Sequence, residues 1–387
     1  MSPAVSIKPV ACGREAQFRL AIVPAALLFS GVLSGFAEDA WTKIAPHFQP
    51  PAEFKGQLGS YQSPLRFADG RLAKTPEEWA KRRAEILAEW HRLMDPWPPL
   101  LEKPQLVFHE QTRRENFLQH KVTVPIASGQ TVPGYLLVPE GKGPFPAVVV
   151  PFYDAETSAG SNEKQHRDFG RLLARRGFVA LCIGSPSGDA RKPEPGRPAW
   201  QPLSFLAYVA ANCHTLLAQH PSVDPARIGV VGHSYGGKWA MFASCLYDKF
   251  AAAAWSDPGI VFDDARSNIN YWEPWYLGRD EKMVRKPGLV TPMNPRTGAY
   301  KTMMEAGRDL HELHALMAPR PFLVSGGAED PLKRWAVLNH AVAVNALLGQ
   351  TNRVAMTNRK EHGPDADSNE RLCLFFEHFL KPTKAVR

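Results

Sequence analysis

The chain has 387 residues, of which 44% are hydrophobic, 22% charged and 10% aromatic. This composition excludes a disordered, fibrous or multi-span membrane protein and predicts an ordinary folded one. A chain of this length buries enough surface to be stable without disulfides or a structural metal ion. The net charge of +8 would suit a nucleic-acid partner. No nucleic-acid-binding motif accompanies the charge, however, so we predict no such partner.

The first 37 residues have the pattern of a secretory signal peptide. A basic segment with Lys8, Arg14 and Arg19 precedes an uncharged apolar stretch at 20–37, which ends in small residues. These are the three features of a cleavable signal. We therefore predict a periplasmic or secreted mature chain that begins near residue 38, with an uncleaved anchor as the alternative. After residue 37 the sequence contains no stretch long and apolar enough to cross a membrane.

Residues 38–103 are expected to form an irregular N-terminal wrap followed by one helix. Thr75 and Pro76 are typical of a helix start. Apolar residues then recur at helical spacing as far as Met94, and Pro96 ends the pattern.

From residue 104 to 387 the pattern alternates between strands and helices and predicts one catalytic domain. The expected strands are 105–109, 117–124, 131–138, 146–150, 178–183, 227–231, 251–256, 321–325 and 353–357. The expected helices are 163–175, 202–219, 236–247, 302–317, 333–348 and 366–380. Several strands are continuous apolar runs, which is typical of strands buried on both faces. The fold class is therefore α/β, with a doubly wound, mostly parallel sheet, helices on both faces and an insertion at 258–300 that caps the sheet edge.

The strongest functional signal is the segment Gly232–Gly237, which reads GHSYGG. It lies where a buried strand is expected to end and a helix to begin, the context of a nucleophilic serine on a sharp turn. The glycines permit the close backbone approach that such a turn requires. Ser234 is therefore the predicted nucleophile.

A nucleophilic serine needs a base and an acid that orients the base. On a sheet of this kind they follow the serine in the order acid, then histidine. Asp330 follows the strand at 321–325 and His362 follows the strand at 353–357, so we predict these two as acid and base. Asp257, after the strand at 251–256, and Glu329 are competing candidates for the acid.

The oxyanion hole is expected to use the backbone N–H of Tyr235 and one N–H from the loop after the strand at 146–150. Pro151 has no N–H, which leaves Phe152 or Tyr153, and we favour Tyr153. In the insertion, Trp272 and Trp275 belong to an aromatic cluster suited to stacking on a sugar. Packing within the insertion is the alternative role for these two tryptophans.

No metal or cofactor is predicted. His311 and His314 are three residues apart on an expected helix, but the HExxH pattern of zinc hydrolases is absent, so a structural role is favoured. The four cysteines after the signal are scattered without metal-binding spacing and are expected to be buried free thiols.

Three segments make the chain resemble bacterial carbohydrate esterases of the acetylxylan and glucuronoyl esterase kind, within the α/β-hydrolase superfamily. They are 79–86 (WAKRRAEI), 232–238 (GHSYGGK) and 311–321 (HELHALMAPRP). The resemblance implies the α/β-hydrolase fold and carries Ser234, Asp330 and His362 over as the triad. Glucuronoyl esterases have an arginine directly after the nucleophile, whereas this chain has Tyr235.

The sequence thus predicts an exported serine ester hydrolase that acts through an acyl-enzyme and deacylates a carbohydrate such as acetylated xylan. One alternative is a serine peptidase of the prolyl-oligopeptidase type. This alternative is disfavoured because the segment between the signal and the strands is too short for a propeller. The other alternative is a hydrolase-fold binding protein without activity.

Overall fold

The computed structural model describes residues 35–189, 191–192 and 200–381. Most of the predicted signal peptide, residues 1–34, lies outside the described residues. From Ala37 onward the described chain forms one compact unit. None of the described helices is both long and apolar enough to cross a membrane.

The centre of the fold is a nine-stranded sheet in the order β1-β2-β3-β5-β4-β6-β7-β8-β9. The strands are β1 (Val107–Arg114), β2 (Phe117–Ala127), β3 (Gln130–Pro139), β4 (Phe145–Pro151), β5 (Val179–Ile183), β6 (Val223–His233), β7 (Ala252–Ser256), β8 (Phe322–Gly326) and β9 (Val354–Asn358). Strands β1, β2, β3 and β5 pair antiparallel in that order. The remaining pairs, β5 with β4, β4 with β6, β6 with β7, β7 with β8 and β8 with β9, are all parallel. The carboxyl ends of β4 and of β6 to β9 therefore meet at one edge of the sheet.

Ten α-helices accompany the sheet in the described chain. They are α1 (Gly35–Ile44), α2 (Pro76–Met94), α3 (Ala155–Ala159), α4 (Phe169–Arg175), α5 (Pro202–Ala218), α6 (Tyr235–Leu246), α7 (Gly298–Glu305), α8 (His311–Leu316), α9 (Trp335–Leu347) and α10 (Ala366–Leu380).

The sheet separates two hydrophobic cores, as the alternation of side chains along a strand requires. On β4, Ala147 and Val149 enter the core that α2, α5, α6, α8 and α9 complete. Val148 and Val150 enter the opposite core, which α4 and α10 complete. The predicted doubly wound sheet with helices on both faces is confirmed.

Several predicted elements differ from the structure in extent. Of the helix expected at 163–175 only the second half is helical, as α4, and the short helix α3 precedes the expected range. The helix expected at 302–317 is interrupted between α7 and α8. Gly307 lies in that interruption at a φ of 65°, a conformation that ends a helix. Strand β1 extends to Arg114 rather than to 109, because it is an exposed edge strand whose polar residues carry no hydrophobic signal.

Candidate active site

Ser234 lies on the sharp turn between β6 and α6, as predicted. Its φ of 55° and ψ of −115° are strained for a residue with a side chain. The turn is tight enough that a Cβ on Gly232 would collide with the carbonyl of Gly236, and a Cβ on Gly236 would collide with the carbonyl of Pro151. Both glycines are therefore required, and the loop after β4 lies directly against the turn.

His362 is brought to Ser234 by the loop that follows β9. Its Nε2 lies 2.9 Å from Ser234 Oγ. The loop is held by Arg359, whose guanidinium donates to the carbonyls of His362, Gly363 (2.7 Å) and Ser325 (2.8 Å). The pairing of Ser234 with His362 is thus formed in the structure as the sequence predicts.

The acid at His362 is Asp257 and not Asp330. His362 Nδ1 lies 2.8 Å from Asp257 Oδ2. Asp257 is fully buried, and it accepts further hydrogen bonds from the backbone N–H groups of Gly327 (2.6 Å), Asp330 (2.9 Å) and Glu329 (3.2 Å). These donors come from the loop after β8 and fix the carboxylate in place.

The carboxylate of Asp330, the predicted acid, supports the backbone beside Asp257. It accepts the N–H groups of Gly259 (2.8 Å) and Ile260 (2.7 Å). Burial, followed by the charge of Asp257, raises the pKa of Asp330 to about 6. The prediction failed because β7 and β8 are neighbours, so either strand end could offer a carboxylate to the histidine.

Glu329, the remaining candidate acid, is occupied elsewhere. It receives hydrogen bonds from Arg266 (2.9 Å) and Asn268 (3.0 Å), both in the loop that follows β7. Glu329 therefore ties two loops of the site together and takes no part in the contact with His362.

Two buried basic groups, His233 and Lys238, lie under the site. The ring of His233 is 4.7 Å from that of His362, and burial lowers the pKa of His233 well below its ordinary value. Lys238 Nζ donates to the carbonyl of Pro258 (2.7 Å), and burial lowers the pKa of Lys238 to about 8. Lys238 thus connects helix α6 to the loop that carries Asp257.

The oxyanion candidates lie on either side of the turn. The N–H of Phe152 is already bonded to the carbonyl of Ile183 (3.1 Å). Within the described chain the N–H of Tyr153 has no acceptor, which favours Tyr153 as predicted. The N–H of Tyr235 begins α6 and is one of the unpaired donors at a helix N-terminus.

The two tyrosine rings lie close together beside the serine. Their centroids are 5.0 Å apart, and the hydroxyl of Tyr235 is 3.2 Å from Ser185 Oγ. Tyr235 is buried, whereas Tyr153 is 42% exposed. Tyr153 therefore presents an accessible aromatic surface next to the predicted nucleophile.

The predicted substrate-binding tryptophans have different positions. Trp272 is buried, and its Nε1 donates to the carbonyl of Gly288 (2.8 Å), so it packs the interior of the insertion rather than an open surface. Trp275 is half-buried, and its ring is 6.2 Å from that of Tyr276, which is 6.2 Å from Tyr235. Aromatic character alone could not distinguish the two, because an irregular insertion has no periodicity that separates inside from outside.

The two histidines considered as metal ligands, and the cysteines, lie in contacts within the fold. His311 Nε2 lies 2.7 Å from the carbonyl of Gln62, and the ring of His314 lies 5.4 Å from that of Trp255. The four described cysteines are buried and unpaired, as predicted.

A serine hydroxyl can act as a nucleophile toward a carbonyl carbon when it is hydrogen-bonded to an imidazole and that imidazole is hydrogen-bonded to a buried carboxylate. This arrangement joins Ser234, His362 and Asp257 at the carboxyl ends of β6, β9 and β7.

Comparisons with known proteins show which proteins this chain resembles. Residues 104–262 match the family model described as Esterase FrsA-like. A curated relative, the 2,6-dihydropseudooxynicotine hydrolase of Paenarthrobacter nicotinovorans, is 23% identical over 292 residues. The match covers 74% of this chain and 66% of that protein, slightly less than two thirds of its length.

Solved structures of esterases share the fold. A glucuronoyl esterase from Solibacter usitatus has a TM-score of 0.65 at 18% identity, covering 84% of this chain and 99% of its own. A putative acetyl xylan esterase from Bacteroides fragilis has a TM-score of 0.53 at 15% identity, and the match covers 91% of this chain and 93% of that protein. The chain is thus an α/β-hydrolase-fold protein that resembles carbohydrate esterases in architecture and matches the FrsA-like esterases over residues 104–262.

Proposed function

We propose that the protein is a carboxylic ester hydrolase that uses Ser234 as its nucleophile and passes through an acyl-enzyme. The observation that carries this proposal is the pair of hydrogen bonds at His362, 2.9 Å to Ser234 Oγ and 2.8 Å to Asp257 Oδ2. The match to an esterase family over the segment that contains Ser234 and Asp257 supports it.

In the first half of the proposed reaction, Ser234 Oγ attacks the ester carbonyl carbon and its proton passes to His362 Nε2. Asp257 accepts the Nδ1–H and stabilises the imidazolium that forms. The negative charge on the carbonyl oxygen would be met by the N–H groups of Tyr235 and Tyr153. When the carbon–oxygen bond to the alcohol breaks, the leaving oxygen takes the proton from Nε2.

In the second half, water attacks the acyl carbon while His362 Nε2 takes one of its protons. Collapse of the tetrahedral species breaks the bond to Ser234 Oγ, which recovers its proton from the histidine. The acid is released and the enzyme is restored, so the chemistry consumes only an ester and water. We propose no metal or cofactor for this reaction.

The substrate class proposed is an O-acylated carbohydrate such as acetylated xylan, hydrolysed outside the cytoplasm after export. The structural neighbours named as glucuronoyl and acetyl xylan esterases support a carbohydrate ester. Acetyl esters are favoured over glucuronoyl esters because Tyr235 stands where the resemblance expects an arginine. The N-terminal sequence pattern is the basis for export.

The mechanism is tested with 4-nitrophenyl acetate. The purified protein should hydrolyse it, and Ser234→Ala should lower kcat by about 10⁴-fold or more, because the nucleophile itself is lost. Ser244→Ala, which alters a buried serine bonded to the carbonyl of Ala240 (2.8 Å), is the matched control and should retain activity. Undiminished activity in Ser234→Ala would overturn the mechanism.

The substrate class is tested with a panel of acetylated xylan, a methyl ester of glucuronate and simple acetyl esters. We expect acetylated xylan to have the highest kcat/KM. Faster cleavage of a peptidyl chromogenic substrate would assign the site to a peptidase instead. Failure to react with a fluorophosphonate probe would support the inactive binding protein.

A further inference from the structure

A half-buried arginine, Arg167, lies beside the histidine of the site and has no partner among the described residues. Arg167 belongs to the loop that precedes α4. Its Nη2 is 3.8 Å from the position that a Cβ on Gly363 would occupy, and Gly363 directly follows His362. Within the described chain the Arg167 guanidinium makes no hydrogen bond and no ion pair.

Two acidic side chains in the connection between β4 and β5, which also contains Arg167, already have other partners. Asp168, the next residue, pairs with Arg171 (3.3 Å). Asp154, at the start of the same connection between β4 and β5, pairs with Lys164 (3.2 Å). Neither carboxylate therefore neutralises the charge of Arg167.

Arg359, at the same site, has a structural role that Arg167 lacks. Its guanidinium donates to carbonyls of the loop that carries His362 and to those of β8, so its donors are used to hold that loop. Arg167 has the same five N–H donors and uses none of them on the described chain. Its role is therefore not explained by the folding of the site.

The charge of Arg167 also acts on the buried imidazole of His233. The pKa of His233 is lowered mainly by burial, with further contributions from neighbouring charged groups that include Arg359 and Arg167. The rings of His233 and His362 are 4.7 Å apart, so Arg167 acts on a group that packs against the base of the proposed triad.

A guanidinium that is partly withdrawn from water favours a planar anion, because a carboxylate accepts two parallel N–H bonds from it. We propose that Arg167 binds a carboxylate carried by the substrate, so that the preferred esters are those with a free acid group near the bond that is cleaved. This inference rests on the proposed function, since it names a feature of the substrate of the same site. Arg167 is then a specificity-determining residue.

The test uses two matched pairs of esters. In one pair the carboxylate is on the acyl side: mono-4-nitrophenyl adipate against 4-nitrophenyl hexanoate. In the other it is on the alcohol side: 4-acetoxybenzoate against 4-acetoxybenzamide. For each pair, the ratio of kcat/KM for the anionic ester to that for the neutral ester is measured in the wild type and in Arg167→Gln.

We expect the ratio to fall by about 10- to 100-fold in Arg167→Gln for one of the two pairs, the range that loss of a charge-assisted hydrogen bond produces. The effect should reside mainly in KM and should shrink as salt is added. Arg175→Gln, on α4 and paired with Glu115, is the matched control and should leave both ratios unchanged. An equal loss for anionic and neutral esters, or no loss for either pair, would overturn the proposal.

Binding to an inactive variant separates this proposal from the proposed function. Adipate and 4-acetamidobenzoate are titrated into Ser234→Ala and into the double variant Ser234→Ala/Arg167→Gln by calorimetry. Binding that requires Arg167 would support the anion site even if the wild type hydrolysed no ester. Equal binding to both variants, or to neither, would reject the anion site whatever the esterase assays show.

Discussion

Two buried aspartates, Asp257 and Asp330, each fix the backbone beside the other. Asp257 Oδ1 accepts the N–H of Asp330 at 2.9 Å. The carboxylate of Asp330 in turn accepts the N–H groups of Gly259 and Ile260, two and three residues after Asp257. Only Asp257 reaches His362. At the scale of single residues, the two carboxylates are close in space, but only one of them bonds the histidine, and the other bonds backbone N–H groups.

Replacing each aspartate by asparagine should separate these roles. Asp257→Asn should lower kcat by about 10³- to 10⁴-fold, because an amide does not hold the histidine tautomer that accepts the serine proton. Asp330→Asn should cost about 1–3 kcal/mol of unfolding free energy, because the amide has one acceptor oxygen for two buried N–H groups. Its effect on kcat should be far smaller than that of Asp257→Asn. Activity on 4-nitrophenyl acetate and urea unfolding measure the two effects.

The result that would contradict this assignment is a kcat loss in Asp330→Asn as large as that in Asp257→Asn. Asp224→Asn provides a control, because Asp224 pairs with Arg227 at the start of β6, in a surface position. It should alter kcat little, which would show that removal of a carboxylate is not harmful by itself.

At the scale of elements, the N-terminal wrap is held by side chains of α8 and α9. Each of these side chains bonds a backbone carbonyl of the wrap. The contacts are Asn339 to Phe54 (2.8 Å) and Gln57 (2.7 Å), His340 to Leu58 (2.9 Å), and His311 to Gln62 (2.7 Å). Two of the three holding residues are histidines, so the attachment of the wrap depends on pH.

Acid should weaken this attachment. Burial lowers the pKa of His311 to about 4 and also lowers the pKa of His340, so both are neutral in the folded protein. As pH falls below about 6.5, the unfolded chain takes up protons that the folded chain excludes, and the free energy of unfolding falls until pH reaches about 4. For His311 we expect a loss of about 2 kcal/mol between pH 7.5 and 4.5.

His311→Gln is the variant that measures this contribution, because glutamine keeps an N–H donor for the carbonyl of Gln62 but does not titrate. Urea unfolding at pH 7.5 and 4.5 should show a smaller pH-dependent loss in His311→Gln than in the wild type. His109→Gln, in the exposed strand β1, serves as the control and should keep the wild-type loss. Equal losses in all three proteins would refute the role of His311.

Features of the fold and the site could be predicted from the sequence where their signal is local. The apolar runs of the parallel strands and the glycines around Ser234 are local features, and each was read correctly. The choice between Asp257 and Asp330 depends on how two neighbouring loops fold over each other, which no spacing encodes. The burial of Trp272, and the fact that Arg167 pairs with no described residue, likewise follow only from three-dimensional packing.

At the scale of the whole molecule, the segment after the predicted signal completes the core on the α10 face of the sheet. Ile44 and Phe48 are both buried there. The ring of Phe48 lies 6.4 Å from that of Phe375, and Trp41 stacks on His378 with centroids 4.6 Å apart. Residues from Ala40 onward are therefore part of the folded core.

Two deletions should show where the stable unit begins. Removing residues 1–37 should leave the free energy of unfolding nearly unchanged, because Ala40 and Trp41, which pack against this core, are retained and only the first three residues of α1 are lost. Removing residues 1–48 also takes away Ile44 and Phe48, whose burial stabilises by about 1.5–3 kcal/mol each. Urea unfolding of the two truncated proteins should therefore differ by about 3–6 kcal/mol, with the longer deletion less stable. If removing 1–37 were as damaging as removing 1–48, the boundary near residue 38 predicted for the mature chain would be wrong.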